Sequence, residues 1–219
     1  MTVFIISGGS MDYDFARDFI AKKSHDTYTI ACDKGFEHCL KLGITPDVTI
    51  GDFDSISKEG LEAISELCPE VIKLNPIKDD TDTEAALGIA IEHTEDTDDI
   101  YILGATGTRL DHVLGNINLL GLGLKQKRRV ALVDSHNLIR MISGGDRLSM
   151  SKPDSFGKYV SFFPYDGKAY GVTLKGFKYP LSEATLEGFN TLTVSNEIVD
   201  GVAHVTLDKG YLIVCESRD

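Results

Sequence analysis

Residues 28–56 read YTIACDKGFEHCLKLGITPDVTIGDFDSI, and their alternation decides the fold class. Tyr28-Cys32 and Val48-Ile50 are short apolar or β-branched runs of strand type, with a helix-like segment near 35–42 between them. The alternation continues on both sides. Strand candidates lie at Val3-Ile6, Val71-Leu74, Ile100-Leu103 and Val130-Val133, and helix-like segments lie near 13–23, 57–67, 82–93 and 110–125. Strands and helices that alternate with short connections predict a parallel sheet covered on both faces. Ligands of such sheets bind outside the carboxyl ends of the strands.

After Asp134 the pattern changes. The runs KYVSFFPY, AYGVTLKGF, LTVS, VAHVTL and GYLIVCE are β-branched or aromatic, are separated by Gly, Pro, Asn and Asp, and carry almost no helical periodicity. They predict an antiparallel β-sandwich. The expected fold is therefore α/β: a parallel α/β domain over 1–134 and a β-sandwich over 135–219, with the boundary near 134–146, where GGDR reads as a turn.

The bulk properties narrow the partners. A chain of 219 residues with 42% hydrophobic and 26% charged residues can bury a real core. The net charge of -12 and pI near 4.9 argue against nucleic acid or an anionic membrane as a bulk partner. No apolar run approaches a membrane span, and MTVFIISGGSMDYDF lacks the basic start of a signal peptide, so a cytoplasmic protein is expected. Cys32, Cys39, Cys68 and Cys215 form no C-x-x-C pair and read as free thiols. The acidic run EDTDD at 95–99 reads as a solvated loop.

The acids gather where the strands end. Asp33 follows one strand and Asp52 and Asp54 another; Asp79, Asp80 and Asp82 lie just beyond a third, and Asp111 follows a fourth across GATGTRLDH. On an extended segment Asp52 and Asp54 would point the same way. Like charges that close repel unless a proton or a cation sits between them. A lone D-x-D is equally a strand-to-helix turn with a capping aspartate. Acids at four strand ends suit magnesium better, since it takes a few carboxylates together with substrate phosphates; Mg-nucleotide is the natural ligand.

The loop LGATGTRLDHVLGN, 103–116, supplies the complementary half. Gly104 and Gly107 would let backbone approach a ligand, Thr106 and Thr108 can donate hydroxyls, and Arg109 can clamp a phosphate at the start of a helix. The alternative is a glycine turn whose Arg109 pairs with Asp111. Neither phosphate fingerprint, G-x-x-x-x-G-K-[ST] nor G-x-G-x-x-G, is present, and SGGSM after the first strand reads only as a turn. In IKDDTDTEAALGIAIEH, Thr81 or Asp82 can cap a helix and Glu84 suits its first turn.

These segments, with YPLSEATL (179–186) and VSNEIVDG (194–201), resemble the thiamine pyrophosphokinase family over nearly the whole chain. The resemblance implies a nucleotide-binding α/β domain, a thiamine-binding sandwich, a homodimer with sites between subunits, and pyrophosphoryl transfer from ATP to thiamine with Mg²⁺, giving thiamine diphosphate and AMP. It makes Asp52, Asp54 and Asp79 the metal and phosphate-coordinating acids, with Asp111 a further active-site acid and Asp33 and Asp82 in support. Thr106, Thr108 and Arg109 would hold the ATP phosphates, and Ser195, Asn196 and Glu197 would lie on the thiamine side. Either Asp54 or Asp111 would accept the thiamine hydroxyl proton. The family commonly carries D-G-G-A-N where this chain has Asp33-Lys34-Gly35-Phe36-Glu37, and some members stack thiamine on a tryptophan that this chain lacks, a place that an aromatic such as Phe189, Tyr179 or Phe177 would take. An aspartate-nucleophile phosphatase and a non-catalytic nucleotide or thiamine sensor are the competing readings.

Overall fold

The computed structural model describes residues 1–23, 26–54, 56–75, 80–107 and 109–219, which divide into two compact units, Met1–Ser135 and His136–Asp219. The first unit runs β1 (Thr2–Ile6), α1 (Tyr13–Lys22), β2 (Thr27–Cys32), α2 (Gly35–Leu42), β3 (Val48–Gly51), α3 (Lys58–Leu67), β4 (Glu70–Lys73), α4 (Asp82–His93), β5 (Asp99–Leu103), α5 (Leu110–Lys125) and β6 (Arg129–Val133). All its described strand pairs are parallel, in the order β4-β3-β2-β1-β5-β6. The order reverses direction between β1 and β5, which makes a switch point of the kind where α/β sheets bind ligands.

The sequence produces these elements for ordinary reasons. Ile5, Ile6, Ile30, Ile100, Ile102 and Leu132 are fully buried, as expected of parallel strands covered on both faces. Asp12 caps α1, Ser57 caps α3 and Thr81 caps α4, each accepting a backbone N–H from the first turn. α2 ends on Gly43 in the left-handed region, φ 74°. It packs with α1 and α3, while α4 packs with α5.

The second unit is antiparallel. Its elements are β7 (Asn137–Ser143), β8 (Arg147–Ser151), β9 (Tyr159–Lys175), β10 (Leu181–Glu187), β11 (Asn196–Glu197), β12 (Val202–Thr206) and β13 (Lys209–Ser217). The runs KYVSFFPY and AYGVTLKGF, read separately in the sequence, belong to one 17-residue strand. The first half of β9 pairs with β13 and β11, and its second half with β10 and β12. Asp166 and Gly167, both at positive φ, lie between the halves. One strand can thus serve two sheet regions around a shared core of Val160, Phe162, Val172, Leu174, Val205 and Leu212. Phe162 meets Phe177 edge-on at 5.4 Å between ring centroids.

Two glycines in the first unit should respond oppositely to alanine. A Cβ on Gly35 would lie 1.9 Å from the Ile6 carbonyl oxygen, whereas one on Gly88, inside α4, would meet nothing within 4 Å. Gly88→Ala is expected to stabilise the protein by about 0.5–1 kcal/mol. Gly35→Ala should destabilise it, and urea unfolding of the two variants checks both signs.

Candidate functional site

The carboxyl edge of the parallel sheet holds a cavity of about 510 Å³, within the usual range for small-ligand sites. Its walls come from the segments after β1 (Ser7, Gly8, Gly9), β2 (Asp33, Lys34) and β5 (Gly104–Gly107), with Asp54, Thr81–Thr83, Arg109, His112 and Asn116.

The segments after β1 and β5 touch backbone to backbone. Gly9 donates its N–H to the Gly104 carbonyl at 2.8 Å, and a Cβ on Gly9 would stand 2.4 Å from that oxygen. Gly104, at φ 66°, could carry a Cβ only 2.2 Å from the Ser7 carbonyl oxygen. The freedom expected to admit a ligand at Gly104 is thus spent on packing against the SGGS segment, which lines the cavity rather than being only a turn. Two helices secure the pair. Asn116 of α5 donates its side-chain N–H to the Ala105 carbonyl at 2.8 Å. His38 of α2 lies 2.9 Å from the Gly9 carbonyl through Nε2 and 2.8 Å from the Tyr13 hydroxyl through Nδ1. A carbonyl only accepts, so Nε2 carries the proton and Nδ1 of the neutral ring accepts from Tyr13. Burial holds the His38 pKa below the usual value, which favours that neutral form.

The acids converge beside this wall. Carboxylate oxygens of Asp33, Asp52 and Asp54 lie within 4.8 Å of one another. Strand alternation is not what brings Asp52 and Asp54 together, because β3 ends at Gly51. Phe53 takes a left-handed conformation, φ 63°, and Asp52 Oδ1 accepts the Asp54 N–H at 3.1 Å, folding the pair into a side-chain-bonded turn. Gly51 lets β2 approach, since a Cβ there would lie 3.1 Å from the Asp33 Cβ. Three hard oxygen donors so placed fit a cation of the magnesium type. Asp79 and Thr108 lie outside the described residues.

The remaining expected residues are distributed unevenly. Thr81 caps α4, which leaves Asp82 in its first turn and on the cavity wall. Thr83 Oγ1 lies 3.0 Å from Ser7 Oγ, tying α4 to the end of β1. Thr106 and Arg109 line the cavity, but the Arg109 guanidinium is turned to Asp111, with Nη2 2.6 Å and Nε 3.1 Å from its carboxylate oxygens. Asp111 is not among the described lining residues. The Arg109 hydrogen bond is the largest influence on it and pulls its carboxyl down to about 2. Lys34, Ser7, Gly8, Thr83, His112 and Asn116 were not anticipated. Apart from Asn116, which lies inside α5, their common signal was position, at a strand end or a helix start facing the switch point.

In the second unit the SNE residues are mostly committed internally. Asn196 is buried; its Oδ1 accepts the backbone N–H groups of Tyr179 and Glu197, and its Nδ2 donates to the Tyr179 carbonyl. Glu197 pairs with Lys178 at 2.8 Å, which lowers its pKa. Ser195 sits at φ 56° with its side chain exposed. Of the aromatics, Phe177 is buried in the core while Tyr179 and Phe189 are exposed.

Residues 20–132 match the family described as thiamin pyrophosphokinase, catalytic domain, and residues 147–212 match thiamin pyrophosphokinase, vitamin B1 binding domain. The chain belongs to the thiamin pyrophosphokinase family. It is 36% identical to thiamine pyrophosphokinase of Bacillus subtilis over 218 residues, covering 100% of this chain and 99% of that one. A crystal structure of thiamine pyrophosphokinase from Bacillus subtilis superposes over the whole of both chains with a TM-score of 0.88 and 34% identity. One from Geobacillus thermodenitrificans gives 0.86 at 30% identity, covering 100% of this chain and 98% of that one. The chain is thus an enzyme of the family whose activity is pyrophosphoryl transfer from ATP to thiamine, and the phosphatase and sensor readings fall away. No described helix is long and apolar enough to cross a membrane.

The Arg109–Asp111 pair gives a direct test of the free site. The Asp111 carboxyl is expected to titrate near 2 by carboxyl-resolved NMR, and Arg109→Gln should return it toward the ordinary 3.8. Because the folded value is the lower one, any stability from this pair is present above 3.8 and lost as pH falls through about 2.

Proposed function

We propose that the cavity of the first unit is the Mg-ATP half of the thiamine pyrophosphokinase site, that residues 1–134 form the catalytic domain and that 135–219 form the thiamine-binding domain. The observation that carries this reading is the gathering of Asp33, Asp52 and Asp54 beside a cavity lined by Lys34, Arg109 and hydroxyl groups. Asp33, Asp52 and Asp54 hold Mg²⁺, with Asp79 joining them. When bound, magnesium supplies neutralising charge to the polyphosphate and polarises the β-phosphorus. The residues around it do the positioning that phosphoryl-group transfer chiefly requires.

Thr106 and Thr108 donate hydroxyl hydrogens to ATP phosphates. Arg109 exchanges Asp111 for phosphate oxygens, which suit its planar fork equally. Lys34 adds a point charge on the opposite wall, and Asp82 holds its place at the start of α4. Asp54, exposed at the cavity, is the better base for the thiamine hydroxyl. Asp111 is not among the described residues that line that cavity.

In the second unit, Asn196 fixes the turn that presents Ser195 toward thiamine, with Glu197 beside it. Tyr179 or Phe189 offers the flat face that tryptophan gives elsewhere in the family. Tyr179, Phe189, Leu192 and Val194 leave apolar surface exposed around that turn, which supports a homodimer completing the site. The four cysteines are free, which supports a cytoplasmic, reducing location.

Purified protein given thiamine, Mg²⁺ and ATP should yield AMP and thiamine diphosphate in equal amounts. ADP, free phosphate, or AMP formation without thiamine would refute the assignment. Asp54→Asn is expected to lower turnover at least about 100-fold. Its unfolding free energy should fall by no more than about 0.5 kcal/mol, because one of three crowded charges is removed. Near-normal turnover in this variant would take Asp54 out of the site.

A further inference from the structure

The second unit carries another constellation, on the sheet face turned away from its core. Met150, Ala203, Val205, Val172 and Leu174 belong to the buried cluster, with Leu148 packed against it. Side chains alternate along a strand, so Arg147, Ser149, Thr173, Lys175, His204 and Thr206 take the opposite face. The pairing register then sets them side by side. Thr206 stands across from Arg147 on one side and Thr173 on the other; His204 stands between Ser149 and Lys175. Directly opposed Cβ atoms in such a ladder lie about 4.5–5.5 Å apart. The result is two adjacent rows, Arg-Thr-Thr and Ser-His-Lys.

Arg147, Thr173, Lys175, His204 and Thr206 line a depression of about 200 Å³. No carboxylate lines it among the described residues, in a chain of net charge -12. Arg147 and Lys175 enter no ion pair among the described residues. The polar side groups are oriented by their neighbours. Ser149 Oγ lies 3.0 Å from His204 Nδ1, leaving Nε2 as the ring's other polar atom. Thr173 Oγ1 accepts the Glu183 N–H at 3.0 Å, so its own hydroxyl hydrogen is left to donate elsewhere.

We propose that this face is a phosphate-binding site, sized for inorganic phosphate, pyrophosphate or the phosphoryl end of a small metabolite. It shares no residue with the cavity of the first unit. Arg147 suits two phosphate oxygens at once, Lys175 supplies a point charge, and the hydroxyls of Thr173 and Thr206 donate between them. The volume lies below the range for drug-sized ligands, so a whole nucleotide is too large to be enclosed.

The test uses the full-length protein with carbon-13-labelled histidine, the His204 ring signal being assigned by its loss in His204→Gln. Phosphate and pyrophosphate are titrated separately at fixed pH without Mg²⁺ or thiamine, against sodium chloride at matched ionic strength. A saturable shift with either anion and none with chloride is expected, and the tighter of the two identifies the preferred form. Arg147→Ser with Lys175→Ser should weaken it at least about tenfold, while turnover of ATP and thiamine stays unchanged and shows the protein folded. If the double variant unfolds, Lys175→Ser alone carries the comparison and should weaken binding several-fold. Equal responses to phosphate and chloride, or unchanged affinity in the variants, would overturn the proposal.

Discussion

Gly9 and Gly104 meet with no side chain between them, and the walls of the cavity depend on that contact. A Cβ on either would fall within 2.4 Å of a carbonyl oxygen of the other segment, closer than any packed carbon can stand. The contact lies where the sheet order reverses, so it joins the two strands whose crossovers depart in opposite directions. A side chain at either position would push the segments apart and take the Gly9 and Ala105 carbonyls out of line with the groups that hold them. Those groups come from two helices, His38 on α2 and Asn116 on α5. Buried backbone oxygens need such partners, and here satisfying them also fixes the shape of the pocket.

On that fixed backbone the acids sit under strain. Asp33 and Phe53 both adopt left-handed conformations, φ 47° and 63°, which non-glycine residues seldom take. Each costs on the order of 1–3 kcal/mol and persists only where the surroundings impose it. Asp33 is followed by α2 and held to the Ile50 carbonyl through its N–H at 2.8 Å; Phe53 is flanked by the bonded Asp52 and Asp54. The strain and the mutual repulsion of the three carboxylates fall at the same place. A cation there would relieve the repulsion while leaving the backbone unchanged, which is the sense in which the proposed metal site is prepared before its ligand arrives.

The parallel unit was legible because its central strands, buried on both faces, read as continuous apolar runs, and α1, α3 and α4 carried ordinary side-chain caps; Thr81 even did what its position suggested. Of the acids expected at the carboxyl edge, Asp33, Asp52 and Asp54 meet there, and they were legible for the same reason: once strands are placed, so are their ends. What stayed hidden depends on contacts between residues distant in sequence. SGGS looked like a turn because nothing local says that Gly9 packs on Gly104. The meeting of Asp52 with Asp54 was expected, but by strand alternation, whereas the unusual φ of Phe53 produces it. β9 was read as separate runs because Asp166 and Gly167 look like a break, although pairing on both sides continues the strand. Asn196 was read as a ligand-side residue, and its three hydrogen bonds to backbone show that much of its capacity is structural.

The cations of the cavity follow a different logic from its walls. Arg109 and Asp111 form a well-aligned pair, yet their side chains are 68% and 64% exposed. A pair that open to water is held weakly, because solvent screens it and two long side chains must be ordered to keep it. Arg109 can therefore exchange its carboxylate for a phosphate at little cost, which a buried pair could not do without leaving an unpaired charge behind. Lys34 needs no such exchange, as it lines the cavity without an ion pair among the described residues. It stands at the second position of Asp33-Lys34-Gly35-Phe36-Glu37, where the family commonly has glycine. The other departures in that stretch are absorbed by the fold: Phe36 goes into the core and Glu37 accepts the Ser57 N–H at 3.0 Å. Lys34 alone turns its change toward the pocket. A rigid backbone thus carries weakly committed charges, and the cavity can hold its shape while its electrostatics rearrange around an incoming polyphosphate.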